Sequence, residues 1–284
     1  MADWLEFRAL SASDSSASFS DLRRLLTRTS GPREFDSPAP RGTSQDELLA
    51  DATFQELEDR HRSTGSAYPF EIDNSVLRVS NDLDACWAYI FCLLLSLKGA
   101  NRDEATEAPT RIFEDIAELA ACQYVSGRSL KFGFPRRVLP NKFIEALEHV
   151  IREIGEGQGA RHRPDSKHAK DARLDIIAWR PFPDNRAAQM IIFGQCAAGG
   201  NWHSKITDLQ PSSFTDLYWQ EAPAVHPLKA FFTPFRLKGE SWYGIAKLGG
   251  ILFDRCRIAH LTQGEPPYPR ALQWTERALR SLSS

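Results

Sequence analysis

Residues 173–205 read RLDIIAWRPFPDNRAAQMIIFGQCAAGGNWHSK. Two apolar runs, Leu174 to Trp179 and Ala188 to Ala197, each carry one polar residue that an ordinary core would exclude, Asp175 and Gln195. Both runs are rich in β-branched and aromatic residues, and the Pro-Phe-Pro-Asp-Asn-Arg between them is turn-forming, so the pattern predicts a β-hairpin. A turn centred near Asn185 pairs Trp179 with Ile191, Ile177 with Phe193 and Asp175 with Gln195. Partners directly across a ladder emerge on the same face. Oxygen-bearing groups meeting at the open end of an apolar hairpin are a donor set suited to a hard divalent cation such as Mg²⁺.

Upstream of the hairpin the apolar spacing becomes helical. Pro109-Thr110 starts a helix with Ile112, Phe113, Ile116, Leu119 and Ala120 on one side and Glu114 and Glu118 on the other, and Gly127 can stop it. A second helix follows Pro140, with Phe143, Leu147, Val150, Ile151 and Ile154 turned inward, and closes at Gly155. The longest apolar stretch, Ala85 to Leu97, is shorter than the roughly 18 residues a membrane span needs, so it predicts a buried core helix and no membrane association. Tyr68 to Val79 reads as an alternating strand. After the hairpin, Asn201 caps a short helix from Trp202 to Leu209, and Val225 to Phe235 reads as a further strand. Tyr243 to Ala259 reads as one long helix despite Gly249-Gly250, and the region around Trp274 as a C-terminal helix. Residues 1–67, rich in Ser, Asp and Arg, read as a polar, loosely docked N-terminal extension, and 68–284 as an α/β domain with a mixed central sheet flanked by helices.

An acidic residue on a helix, then an Asp opening one strand, then a second strand ending in Gln-x-Lys: with this motif order, the region from Thr110 to Leu209 resembles the PD-(D/E)XK nuclease superfamily, nearest its Mrr-like branch. Asp175 stands at the motif Asp and Gln195 at its Glu or Gln, while Ala197 stands where the family has Lys. The resemblance implies a restriction-endonuclease-like fold, Mg²⁺ or Mn²⁺ as cofactor, and hydrolysis of phosphodiester bonds in DNA. It further implies a setting in bacterial defence against foreign nucleic acid, with other subunits of such a system as partners, and it is compatible with a homodimer. One more carboxylate comes from the early helix of that fold. Phe113-Glu114 is similar to the Phe-Glu pair found there, which ranks Glu114 first, ahead of Glu118, Glu145 and Glu156. Gln195 keeps an oxygen ligand but removes a negative charge, and Ala197 can neither orient a water nor balance charge on a phosphate. The motif lysine can migrate to a neighbouring element, for which Lys205 stands first and Lys229 second; His203 is an alternative base.

At 284 residues, 42% hydrophobic and 25% charged, the chain is long enough to bury a sizeable core. Its formal charge of −2 provides no global attraction to nucleic acid, so contact with DNA must come from local patches. Two basic segments precede the hairpin, RSLKFGFPRRVLPNK at 128–142 and RHRPDSKHAKDAR at 161–173, and Arg136, Arg137, Arg161 and Arg163 are expected to line a groove leading to Asp175. The cysteines are scattered and form no C-x-x-C pair, which reads as buried thiols in a reducing compartment. With no basic-then-apolar leader at the N-terminus, the expected location is cytoplasmic. Two other readings compete: a nuclease fold that has lost catalysis and serves as a DNA-binding or scaffolding subunit, and a hydrolase using Cys196 as nucleophile with His203 as base. Alternation opposes the second, because Cys196 should point away from Gln195 into the core.

Overall fold

In chain order the elements are α1 (Ala2–Ser11), β1 (Ser16–Ser18), α2 (Phe19–Thr29), α3 (Gln45–Thr64), β2 (Phe70–Asp73), β3 (Val76–Val79) and α4 (Trp87–Lys98). They continue with α5 (Pro109–Val125), β4 (Arg128–Lys131), α6 (Phe143–Ile154), β5 (Ile176–Arg180), β6 (Met190–Cys196) and the helical turn α7 (Trp202–Lys205). The last are α8 (Pro211–Tyr218), β7 (Leu228–Phe232), α9 (Gly239–Gly249), β8 (Ile251–Phe253), α10 (Arg255–Leu261) and α11 (Pro269–Ser283). The structure is a computed structural model and describes residues 1–29, 45–80, 82–99, 108–162 and 170–283.

The chain is a mixed α/β protein. A five-stranded sheet has the order β4-β5-β6-β7-β8, with β4, β5 and β6 antiparallel and β6, β7 and β8 parallel, and β1-β3-β2 form a small antiparallel sheet. Within the ladder the hairpin register is the one read from the sequence, Ile177 with Phe193 and Trp179 with Ile191. The ladder ends at Ile176 and Gly194, so the expected Asp175–Gln195 pair lies outside it, and the Asp175 N–H bonds the Gly194 carbonyl. Alternation along these strands then divides the core between two faces. Ile176, Ala178, Ile192, Ala230 and Phe232 pack beneath α4, α5 and α11. Ile177, Trp179, Ile191 and Phe193 pack against α6 and α8. The Phe231 and Leu252 side chains on β7 and β8 are covered by Trp202, Ile206 and the apolar side of α9.

Local chemistry sets the helix ends. Pro109 sits in the first turn of α5, where its missing N–H leaves no bond unmade, and Gly155 ends α6 in the left-handed conformation at φ +79°. Helix α4 is buried from Trp87 through Leu95, as its unbroken apolar run predicts, and each such large side chain contributes about 1.5–3 kcal/mol by leaving water. Among the described residues no helix is long and apolar enough to cross a membrane.

Several stretches differ from the sequence reading: the helix after Asn201 ends at Lys205, not Leu209, and Asn201 makes no side-chain cap hydrogen bond among the described residues. Tyr243 to Ala259 is not one helix: α9 stops at Gly249, β8 follows, and Asp254 then caps α10 by accepting a hydrogen bond from the Arg257 N–H (3.1 Å). The cause is Gly250, at φ +75°, where a Cβ would come 2.2 Å from the Lys229 carbonyl oxygen. Glycine lets the backbone press against β7, so Ile251-Leu252-Phe253 gains a parallel ladder that outweighs helix propensity. Tyr68 to Val79 folds back on itself at Asn74 and Ser75, both with positive φ, into the β2–β3 hairpin. Part of the first basic segment, Arg128–Lys131, is the strand β4 on the edge of the main sheet.

The described N-terminal residues are packed into the body. Leu5, Ala9, Leu22, Phe54 and Leu57 share a cluster with Tyr89, Leu93, Cys256 and Ala259. At its centre the fully buried Arg255 donates to both carboxylate oxygens of Asp3 (3.0 Å each), to Ser96 Oγ (2.9 Å) and to the Pro234 carbonyl (3.1 Å). Arg60 donates to Glu6 (2.8 Å), which also accepts hydrogen bonds from Tyr68 (2.8 Å) and Tyr89 (2.7 Å). Burial alone would raise the Asp3 carboxyl, but the Arg255 and Arg60 guanidinium groups more than offset it and hold it well below the usual carboxylate range.

Arg255→Met removes the cation and leaves Asp3 and Glu6 short of partners, so urea unfolding should show a loss of about 3–5 kcal/mol at neutral pH. Because the folded Asp3 carboxyl is depressed, its contribution is complete above the unfolded value of 3.8 and fades as pH falls through the lower folded value. The gap between wild type and Arg255→Met should therefore narrow in acid; a gap that stays constant down to the acid unfolding transition would contradict this assignment.

Candidate functional site

The candidate site forms where the β5–β6 ladder ends. Asp175, immediately before β5, donates its N–H to the Gly194 carbonyl on β6 (2.9 Å), while its own carbonyl accepts from Phe132 N–H (2.7 Å) and Gly133 N–H (3.0 Å) beyond β4. In a regular antiparallel pair a residue exchanges both groups with the same neighbour. Asp175 divides them between two neighbours, so the ladder is irregular here: Leu174 packs in the same cluster as Ile177 and Trp179, which regular alternation would put on the other face. Asp175 Oδ2 accepts a hydrogen bond from the Cys196 N–H at 2.7 Å, tying the carboxylate to the end of β6.

A pocket of about 440 Å³ opens at this end of the sheet, and Glu114, Asp175, Gln195 and Lys205 all line it. Glu114 arrives from α5. A Cβ placed on Gly133 would sit 3.2 Å from Asp175 Oδ1 and 3.7 Å from Glu114 Oε2, so both carboxylates converge on that glycine, whose bare backbone leaves them room. Burial pushes the Glu114 carboxyl up to about 7, with Asp115 and Asp171 adding to the rise and Lys131 and Arg111 opposing it. Burial also raises Asp175 well above the ordinary carboxylate range, followed by repulsion from Glu114, while the Lys205 ammonium pulls it down. Gln195 is 4% exposed, and its Oε1 is buried with no hydrogen-bond partner among the described residues.

The orphaned amide oxygen belongs to a residue lining the same pocket as Asp175 and Glu114, two carboxyls that repel each other, so the pocket gathers hard oxygen donors. That fits a divalent cation such as Mg²⁺ or Mn²⁺, for which Asp175, Glu114 and Gln195 would be the protein ligands. Among the described residues no group of three or more His, Cys, Asp or Glu side chains is arranged to hold a metal ion. Here the third donor is an amide, the consequence of Gln at position 195.

The alternative candidates are occupied elsewhere. Lys229 donates to the Ile206 carbonyl (2.8 Å) and holds the segment after α7. Glu118 accepts from Ser129 Oγ (3.3 Å), Glu145 pairs with Lys142 (2.7 Å), and Glu156 is buried with both oxygens taken by the N–H groups of Gln189 and Ala224 (3.0 Å each). His203 stacks on Trp202 and does not line the pocket. Cys196 does line it, but burial and the neighbouring Asp175 and Glu114 push its thiol well above the ordinary range, so the thiolate needed for a cysteine nucleophile is disfavoured.

The expected groove of arginines is not assembled at this pocket. Arg136 is buried, donates to the carbonyls of Asn141 (3.0 Å) and Lys170 (2.5 Å), and lies over the Phe132 ring, so its guanidinium fastens two loops together. Arg161 is exposed and donates to the carbonyls of Asp216 (3.0 Å) and Gln220 (3.3 Å). Arg137 is exposed and does not line the pocket, and Arg163 lies outside the described residues. The pocket instead has Asp171, Arg173 and Asn201 in its wall, and Lys131 approaches from behind, 3.9 Å from Glu114 Oε2 and paired with Asp115, which also meets Arg270. Sequence reading passed over Arg173 and Asp171 because they close a charged segment whose turn geometry only the fold supplies.

Comparison with protein-family models, with curated proteins and with solved structures finds no match to this chain. Its site therefore has to be tested on its own chemistry. A carboxyl whose pKa is raised by folding stabilises the fold only below its unfolded value and opposes it once ionised. Asp175→Asn keeps an acceptor for the Cys196 N–H and removes the repulsion from Glu114. In EDTA at neutral pH it should raise stability by about 1–2 kcal/mol, or roughly 2–6 °C in Tm. A variant less stable than wild type would show that the carboxylate is needed for folding.

Proposed function

We propose that the protein is a metal-dependent nuclease that hydrolyses phosphodiester bonds in DNA, on a restriction-endonuclease-like core. The observation that carries this reading is the convergence of Glu114, Asp175, Gln195 and Lys205 on one pocket, with the Gln195 oxygen buried and unpartnered among the described residues. The order of elements supports it. An early helix, α5, brings a carboxylate to the pocket, and further along the chain the Asp stands immediately before β5 and the Gln near the end of its antiparallel partner β6. Membership in a bacterial defence system, with further subunits as partners, rests on the motif resemblance.

Each residue has a role that its surroundings permit. A bound divalent ion supplies a lowered water pKa and screening of the phosphate charge. Asp175 and Glu114 contribute the negative charge that would hold that ion, and Gln195 contributes a neutral oxygen, so Glu114 matters more here than where the third ligand is itself a carboxylate. Lys205 lines the pocket and acts on the Asp175 carboxylate, which lets its ammonium orient a water and balance charge developing on a phosphate oxygen. Position 197 cannot take that role, because Ala197 is buried against Phe231 and Trp202. The same Ala197 favours the second reading, a nuclease fold that binds DNA without cutting it.

Supercoiled plasmid incubated with Mg²⁺, Mn²⁺ or EDTA separates the two readings. Cleavage should require the metal, should vanish in Asp175→Ala and should fall by roughly 10²- to 10⁴-fold in Lys205→Ala while both variants stay folded. DNA binding without cleavage under any metal would support the inactive module instead, and cleavage that persists in EDTA would overturn the metal-dependent site.

A further inference from the structure

Resting on the nuclease reading, we infer that Arg173 is a substrate-binding residue of this pocket, which with Lys205 forms a cradle for one phosphate of the substrate backbone. Arg173 lies at the third position of a tight turn, Asp171-Ala172-Arg173-Leu174, closed by a hydrogen bond from Leu174 N–H to the Asp171 carbonyl (3.1 Å). Ala172 and Arg173 have φ of +52° and +69°. Two left-handed central residues are the pattern of a type I′ turn, whose third position strongly favours glycine. An arginine there adopts a strained backbone, and strain of this kind clusters at functional sites.

The Arg173 side chain adds little to folding that would offset the strain. It is 66% exposed, and its one ion pair among the described residues, Nε to Asp208 Oδ2, is long at 3.9 Å. That contact nevertheless places it. Asp208 donates its N–H to the Lys205 carbonyl (3.0 Å), and Arg173 and Lys205 both line the pocket that Glu114 and Asp175 line. The turn is also anchored: Arg136 donates to the Lys170 carbonyl, and Asp171 Oδ1 accepts from Arg173 N–H (3.0 Å). An exposed planar guanidinium lining the same pocket as an ammonium and two carboxyl groups matches the nonbridging oxygens of a phosphodiester bound there. It has no counterpart in a neutral substrate.

Arg173→Gly tests this, since it removes the side chain and relieves the strained turn together. Its melting temperature should equal or exceed that of wild type, while KM for plasmid or oligonucleotide in Mg²⁺ should rise roughly tenfold with a smaller change in kcat. Anisotropy of a fluorescein-labelled DNA duplex in EDTA, across a salt series, should show the slope of log affinity against log salt reduced by about 0.9. Arg173→Lys should recover part of the affinity. Arg186→Gly, at the far end of the β5–β6 hairpin, removes the same charge and should change neither KM nor slope. Wild type that cleaves DNA beside an Arg173→Gly variant with unchanged KM and slope overturns this inference alone. Wild type that neither binds nor cleaves DNA overturns it together with the nuclease reading.

Discussion

The constraint on which the rest depends is the divided backbone of Asp175, bonded through its N–H to Gly194 on one neighbouring strand and through its carbonyl to Phe132 and Gly133 on the other. Had the ladder continued regularly, this side chain would have joined Ile177 and Trp179 on the face that α6 covers. At this irregularity the carboxylate instead accepts the Cys196 N–H at the end of β6 and shares a pocket with Glu114 of α5. Gly133 completes the arrangement, since a Cβ there would press on Asp175 Oδ1 at 3.2 Å and come into contact with Glu114 Oε2 at 3.7 Å. One local irregularity in an otherwise regular hairpin thus sets where the pocket lies and which residues enter it.

Two clusters of acidic residues in the same fold show what distinguishes a structural site from a reactive one. Around Asp3 and Glu6 the carboxylates are met by Arg60 and Arg255 and by two tyrosine hydroxyls, and the network ties the N-terminal helix to α3, α4 and α10. Around Asp175 the balance is reversed. Glu114, Asp171 and Asp175 share a pocket with Arg173 and Lys205, the carboxyls of Glu114 and Asp175 are pushed up, and the Gln195 oxygen has no donor. Folding stability does not explain such a collection, because each buried polar group without a partner opposes the fold. The well-packed apolar layers on both sides of the sheet supply the stability that this end gives up.

Much of this was legible in the sequence because it follows from period and turn chemistry. The alternation of Leu174 to Trp179 and Ala188 to Ala197 set the hairpin register, and the spacing of Ile112, Phe113 and Ile116 set the buried side of α5, which left Glu114 beside the pocket. What was not legible depends on contacts distant in sequence. Nothing near Gly249-Gly250 announces that Ile251-Leu252-Phe253 will find β7 as a ladder partner. Arg136 and Arg161 look like any basic loop residues, yet their guanidinium groups bond to backbone carbonyls that the fold brings to them. Arg173 was hidden for the converse reason: its φ of +69° and its place in the pocket wall arise from a turn that its own residue type does not favour. The polar composition of the N-terminal segment likewise conceals that Asp3 and Glu6 are matched by arginines drawn from Arg60 and Arg255.

The central claim is that this pocket holds a divalent cation, and it can be tested without relying on activity. Crystals soaked in Mn²⁺ and measured for anomalous scattering would locate the ion directly. The account predicts one strong peak bounded by oxygens of Asp175, Glu114 and Gln195 at roughly 2.0–2.5 Å, and its loss in Asp175→Ala. A pocket without a peak at Mn²⁺ concentrations that fill ordinary carboxylate sites, or a peak only elsewhere on the molecule, would contradict it.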